Sequence, residues 1–409
     1  MRLILSFITC ILSFSCVGCS SEEPNPAPPG GGSETNSEIR AVWIPDPSHT
    51  TAMTTYQNVL NTIALLDELN MNTIYLCTWA RSQTAYKSQV LLNNSTYASK
   101  EAGYLFNPYI SGYNTPVSSP TGDPVKDLIT EAHKKNIKVI FWFEYGFMAS
   151  NGVTPANNPI LQKHPQWKGI NSNGEQSNYN NTDYYFNAYN PEVQGFLLSL
   201  IEESISLYPE VDGIQGDDRM PAMPRNSGYD DYTVTKYKAE HGGQAPPASF
   251  NDASWVRWRL DILNNFAKQL YTRVKAKKNN AIVCFSPNPH PWSEDNLMQA
   301  WPQWISDNCV DFLAVQCYRN TIEAYTSTIT ATQASIKAKT NKRIFNPGII
   351  LKNGSVIMNK DLLDAQMKAN RNIHSNGEAF FYIEGLKDAA VQDVLKKYYT
   401  SKANFPEFK

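Results

Sequence analysis

The sequence predicts one (β/α)8 barrel, an α/β TIM-barrel architecture in a single domain with long loops after several strands. Three observations predict it. From Arg40 onward, short apolar runs rich in β-branched and aromatic residues alternate with longer amphipathic segments, eight of each. The runs are continuously apolar, as parallel strands covered on both faces require. The long segments 78–122, 145–189 and 217–249 all follow predicted strands, where a barrel keeps the loops that wall its mouth.

The elements follow in order. Residues 40–44 form the first strand. Val59, Leu60, Ile63, Leu66 and Leu69 recur at helical spacing through 55–69, and 73–77 is the second strand. Asp123-Pro124 opens the next helix, with aspartate as N-cap and proline at the first helical position. The third strand is 138–143. Asn190-Pro191 repeats that device before the helix 193–208, and 213–216 is the fourth strand. Helices over 253–277, 294–305, 322–340, 360–374 and 387–399 alternate with strands over 281–285, 312–316, 343–346 and 379–383. The first strand runs into Pro45-Asp46-Pro47 and not into a Gly-rich phosphate turn, so no nucleotide cofactor is expected.

Residues 1–18 read as a signal peptide. Met1-Arg2 precede an apolar stretch over 3–17, shorter than the about 20 residues of a spanning helix. Cys16-Val17-Gly18-Cys19 resembles a bacterial lipobox, with cysteine at the position usually held by leucine; the resemblance implies cleavage before Cys19 and its lipidation. Ser20-Ser21-Glu22-Glu23 resembles the acidic tags of surface-exported lipoproteins. Prolines and glycines make 19–37 a tether, leaving 38–409 as the barrel domain. The expectation is an exported monomer, lipid-anchored to the bacterial outer membrane, with the tag pointing to the outer face.

A net charge of −2 argues against nucleic acid as a partner. Tyr (22), Phe (17) and Trp (9) are abundant, enough to stack on sugar faces as well as fill a core. Cys77, Cys284, Cys309 and Cys317 lack CxxC spacing and read as buried thiols. Six scattered histidines without HExxH predict no metal centre. No Gly-x-Ser-x-Gly elbow points to a serine hydrolase.

What remains is carboxyl chemistry at strand ends. Val211 to Arg219 reads as a buried strand stopping on Asp217 and Asp218, then Arg219. Side-chain alternation puts Gln215 and Asp217 on one face, with Asp217 aimed into the barrel mouth. Adjacent acids repel, which raises one carboxyl and helps keep a proton on it. The third strand runs into Glu144 with Trp142 on the same face, and the eighth into Glu384. Glycoside hydrolysis needs two such carboxyls, one protonated and one ionised. Asp217 is the candidate nucleophile, base or stabiliser of an oxocarbenium-like transition state, with Asp218 assisting. Glu144 or Glu384 is the candidate proton donor. The candidate substrate contacts are Trp43, Asp46, Trp79, Arg81, Trp142, Gln215, Arg219, Asn288, His290, Trp292, Gln316, Tyr318 and Arg319. Each residue alone is more often structural; their joint position at predicted strand ends is the argument.

Glu38 to Ile44 resembles the opening strand of the family-10-like glycosyl hydrolases. So do Glu131-Ala132-His133-Lys134-Lys135-Asn136 leading into Trp142-Phe143, Asn190-Pro191-Glu192-Val193, and Val211 to Gln215 ending in Asp217-Asp218. Val310-Asp311, closing on Val315-Gln316-Cys317-Tyr318, matches as well. The resemblance implies a (β/α)8 barrel in secreted or lipid-anchored bacterial proteins, some of which cut bacterial glycans, including peptidoglycan strands stripped of peptide. Many members carry Asn-Pro-Tyr after the third strand, where this chain has Glu144-Tyr145-Gly146, so the paired aspartates are the better carry-over. Two other readings stand beside a polysaccharide hydrolase: a non-catalytic glycan-binding lipoprotein, and a metal-assisted carbohydrate deacetylase with Asp217, Asp218 and His290 as ligands.

Overall fold

The eight strands of the central sheet are β1 (Ile39–Ile44), β2 (Thr73–Cys77), β3 (Lys138–Phe143), β4 (Gly213–Asp217), β5 (Ile282–Ser286), β6 (Phe312–Leu313), β7 (Gly348–Ile350) and β8 (Gly377–Phe381). They lie side by side in the order β6-β5-β4-β3-β2-β1-β8-β7, and all pairs are parallel. Leu313 bridges to Phe345, and Gly348 N donates to Val315 O at 2.7 Å, so the segment leading into β7 meets β6 and the sheet curls round to its own edge. The fold is a (β/α)8 barrel. This computed structural model describes residues 37–151 and 155–408; the expected signal peptide, the expected lipidation site Cys19 and residues 20–36 of the expected tether lie outside the described residues.

The outer ring is α1 (Tyr56–Glu68), α2 (Pro124–Lys134), α3 (Pro191–Leu207), α4 (Ala253–Lys277), α5 (Trp301–Ser306), α6 (Ile322–Lys337), α7 (Lys360–Asn372) and α8 (Ala389–Tyr398). The local signals act as their chemistry requires. Asp123 accepts from Val125 N and Lys126 N, Asn190 from Glu192 N, and both helices carry proline in the first turn.

Three predicted elements are corrected. The sixth strand, predicted over 312–316, pairs only over Phe312–Leu313, and the chain runs on without regular pairing to Gln316. The segment predicted as one helix over 294–305 is two pieces, Trp292–Leu297 and α5, separated at Met298, whose φ is +52°. Pro302 is the reason: it has no N–H to give the carbonyl four residues back, so a helix cannot run through it. The seventh strand is β7, not 343–346. That segment makes a bridge to β6, Pro347 interrupts the ladder, and regular pairing with β8 starts at Gly348. The long loop after β3 folds on itself as a small antiparallel sheet of Met148–Asn151, Asn178–Tyr179 and Asp183–Tyr185. Among the described residues the four cysteines are free and buried, and no helix is long and apolar enough to cross a membrane.

Candidate active site

Trp142, Gln215 and Cys284 share a register across β3, β4 and β5. Alternation then sends Asp217, two residues above Gln215, into the mouth. Gly216 between them is forced. A Cβ there would sit 2.4 Å from the Phe285 ring and 2.7 Å from Met220 O, so only glycine lets β4 lie this close to its neighbour.

The layer below the mouth is a sealed floor. Trp43 Nε1 donates to Gln215 Oε1 at 2.8 Å, and the Trp43 ring packs against Tyr75 at 5.1 Å and Phe381 at 6.2 Å. Trp43 and Gln215 are buried, so they support the site instead of lining it. Trp79 is also a correction. It is fully buried, packs on Phe196 of α3 at 6.0 Å and donates to Gly146 O at 3.0 Å; its ring faces the helix layer.

Asp217 is the centre. Oδ1 accepts from Gln316 Nε2 at 2.8 Å and from Asp218 N at 2.5 Å, while Oδ2 accepts from Trp142 Nε1 at 2.9 Å and lies 3.5 Å from Arg219 Nη1. Burial first, then the charge of Asp218, pushes this carboxyl up against the pull of Arg219, but both its oxygens accept from N–H groups, which the carboxylate satisfies and the acid does not, so the geometry holds Asp217 as the anion. Asp218 is more open. Its Oδ1 lies 3.0 Å from Arg219 Nη1, and its Oδ2 accepts from Asn288 Nδ2 at 3.0 Å. Arg219 also reaches Glu144 O at 3.5 Å, so one guanidinium ties together the ends of β3 and β4.

Glu144 follows β3. Gly146 holds the turn beyond it at φ +45°, where a Cβ would strike Arg219 O at 2.4 Å. Glu144 Oε2 is buried without a hydrogen-bond partner among the described residues. Burial raises this carboxyl above its ordinary value and the Asp46 charge adds to it; Arg219, Cys77 and His49 pull it back without cancelling the rise.

Beside Glu144, β1 and β2 contribute a second cluster. Asp46 takes Arg81 bidentately, Nη2 to Oδ1 at 2.5 Å and Nη1 to Oδ2 at 3.0 Å. Ser48 N and Oγ add bonds at 2.9 and 2.7 Å, and His49 Nδ1 lies 2.9 Å from Oδ2. Burial opposes the Asp46 charge, but the bonds from His49, Arg81 and Ser48 outweigh it and hold the carboxyl far below the usual range. Arg81 and Ser82 have φ of +50° and +59°, a left-handed conformation costing roughly 1–2 kcal/mol per residue, fixed here by the Asp46 pair and by Ser82 Oγ on Ala149 O. Arg81→Ala leaves Asp46 buried without its cation. It is expected to destabilise the protein by about 3 kcal/mol, read as a lower urea midpoint at unchanged slope; an unchanged midpoint contradicts this account of the pair.

Glu384 does not join this chemistry. It sits in a short 3-10 turn after β8, bonded to Thr50 Oγ1 at 2.6 Å and Lys387 Nζ at 2.7 Å. Burial raises it, but those two partners win and leave it below the usual range, the wrong direction for a proton donor. His290 pairs with Glu294 at 3.3 Å. Among the described residues no three acidic, histidine or cysteine side chains could hold a metal ion, so Asp217, Asp218 and His290 do not form a ligand set. Arg319 turns back on Tyr318 O at 2.7 Å. Trp292 is 41% exposed and stands edge-on to Tyr179 at 6.0 Å, an aromatic pair free to meet ligand. Tyr318 packs on Phe381 at 5.7 Å; burial and the two aspartates raise its phenol, which stays a neutral hydroxyl. Sequence reasoning missed His49 and Tyr179. The short spacing from Asp46 to His49 was a usable signal for the first; nothing local marks the second.

Residues 38–355 match the family described as glycosyl hydrolase-like 10. Glycosyl hydrolase YngK of Bacillus subtilis (strain 168) is 23% identical over 321 residues, covering 70% of this chain and 55% of that protein. Glycosyl hydrolase DigH of Escherichia coli (strain K12) is 25% identical over 227 residues, covering 49% and 47%. The chain thus spans about half the length of these curated relatives. The solved β-galactosidase of Rahnella sp. R3 superposes with a TM-score of 0.59 at 10% identity, over 89% of this chain and 56% of that one. A β-galactosidase from G. stearothermophilus gives 0.58 at 8% identity, over 91% and 58%. At such identities the likeness is one of fold.

Proposed function

The chain belongs to the glycosyl hydrolase-like 10 family, and we propose that it is a cell-envelope glycoside hydrolase acting on a polysaccharide by carboxyl acid–base catalysis. One observation carries the reading: two unlike carboxyls, Glu144 and Asp218, stand at one barrel mouth, with Arg219 reaching from the Asp218 carboxylate to the Glu144 backbone carbonyl. Glu144 has a raised carboxyl and a buried oxygen without a partner, so it suits a proton donor to the leaving oxygen. Asp218, paired with Arg219 and more open than its neighbour, suits the nucleophile or the base that activates water. Asp217, with both oxygens already filled by donors, cannot attack readily; it suits the fixed charge that stabilises the oxocarbenium-like transition state and orients Asp218 through its N–H.

Trp142 and Gln316 hold Asp217, and Asn288 holds Asp218. Trp292, Tyr179 and Tyr318 offer the aromatic and hydroxyl contacts that a sugar ring takes. The glycosyl hydrolase names of YngK and DigH support the reaction class. Lipidation at Cys19 and outer-membrane anchoring belong to the same proposal and rest on the lipobox resemblance; action as a monomer is part of the proposal without that support.

The test is to incubate the purified protein with envelope and dietary polysaccharides, including peptide-free peptidoglycan, and to identify products by mass spectrometry. New reducing ends are expected, and their rate is expected to be unchanged by a chelator. Released acetate that disappears with the chelator points to the metal-assisted deacetylase. Glycan affinity without any product points to the binding lipoprotein.

A further inference from the structure

The Asp46 cluster contains more than a stable fold requires. A bidentate Arg81 already neutralises Asp46, yet the same carboxylate also takes His49 at Nδ1, 2.9 Å away. The His49 side chain is 57% exposed, and Nε2 has no protein partner among the described residues. A buried carboxylate, itself clamped by an arginine held in a left-handed turn, therefore orients an imidazole whose other edge is open. Resting on the reading above, we propose that His49 is a substrate-binding residue of this cleft, with Asp46 fixing its ring so that Nε2–H donates to the glycan bound beside Glu144.

The groups facing His49 are Asp46, Arg81, Ser48 and Glu144. The hydrogen bond to Asp46 raises the imidazole most, burial opposes it, the charges of Asp46 and Glu144 add to the rise, and Arg81 takes some away. The net direction is upward, which favours the imidazolium, a donor at both nitrogens. The same cation acts on Glu144 in the opposite sense, holding its carboxyl lower than burial alone would. His49 therefore affects two readouts: substrate affinity through Nε2–H, and the alkaline limb of activity through its charge beside Glu144.

The test compares wild type with His49→Gln on whichever glycan is cleaved, with KM and kcat measured across pH. His49 is half outside, so the variant is expected to fold. The expected KM increase is about tenfold, the scale of a lost charge-assisted hydrogen bond. Wild-type KM should rise as pH passes the imidazole value, and the variant's KM should stay flat. With the cation gone, the Glu144 carboxyl moves up, so the alkaline limb of kcat/KM shifts to higher pH in the variant. Unchanged KM and an unchanged limb overturn the proposal while leaving the hydrolase reading intact. NMR titration of the His49 ring needs no turnover. It should give a value above 6.5 that falls in Asp46→Asn; a value at or below 6.5 overturns the proposal even where no glycan is cleaved.

Discussion

Asp217→Asn is expected to lower kcat/KM about a thousandfold, the upper scale of losing one preorganised electrostatic group. The variant keeps the shape of the side chain and removes its charge. Asp217 sits among N–H donors only: Trp142, Gln316, the Asp218 backbone and Arg219. An amide can offer its oxygen to some of them, but its NH2 must then face the others. That mismatch costs about 1–3 kcal/mol of stability, so activity is to be compared at equal folded protein, checked by near-UV circular dichroism. Wild-type turnover in the folded variant removes Asp217 from the mechanism. A loss confined to KM makes it a binding residue.

Glu144→Gln is expected to lower kcat by about a hundredfold to ten-thousandfold, the usual contribution of a general acid. Substrates whose leaving group departs without a proton should lose much less. The contrast between the two substrate types separates a lost acid from a disturbed cleft. Stability should move the other way. Glu144 has a folded-state value raised above its ordinary 4.5. Its contribution is therefore fully present below 4.5 and is lost as pH rises through the raised folded value. Glutamine cannot ionise, so the variant should gain on wild type in thermal midpoint as pH climbs through that window. A midpoint difference that does not change with pH contradicts the raised carboxyl, and full activity on the poor leaving group assigns the proton to another residue.

Much of the barrel is written locally. The eight apolar runs, the caps at Asp123 and Asn190 and the prolines beside them need only neighbours in sequence to act, and they put most elements where the periodicity expects them. Two of the three errors share one origin. Pro302 and Pro347 remove a single N–H each, and apolar periodicity does not register a missing donor.

The candidate site was legible as a set of strand ends and not as an arrangement. Asp217, Asp218, Arg219, Asn288 and Gln316 could be named because they stand at or just after the ends of the fourth, fifth and sixth predicted strands, although the sixth pairs only over Phe312–Leu313. Glu144 and Glu384 looked alike, each an acid after an apolar run. Their difference is made by the fold: Glu384 meets Lys387 three residues on and the distant Thr50, while Glu144 keeps an oxygen buried without a hydrogen-bond partner among the described residues. In the same way Trp43 and Trp79 read as cleft aromatics beside Trp292, and only packing decides that the first is floor, the second faces a helix and the third is exposed. The sequence by itself determined the fold class, the family and the strand ends that carry acids, because hydrophobic period and caps are local interactions. The tertiary structure decided which acid is raised and which is paired, because a carboxyl's proton affinity depends on the burial and the charges that distant segments bring to it.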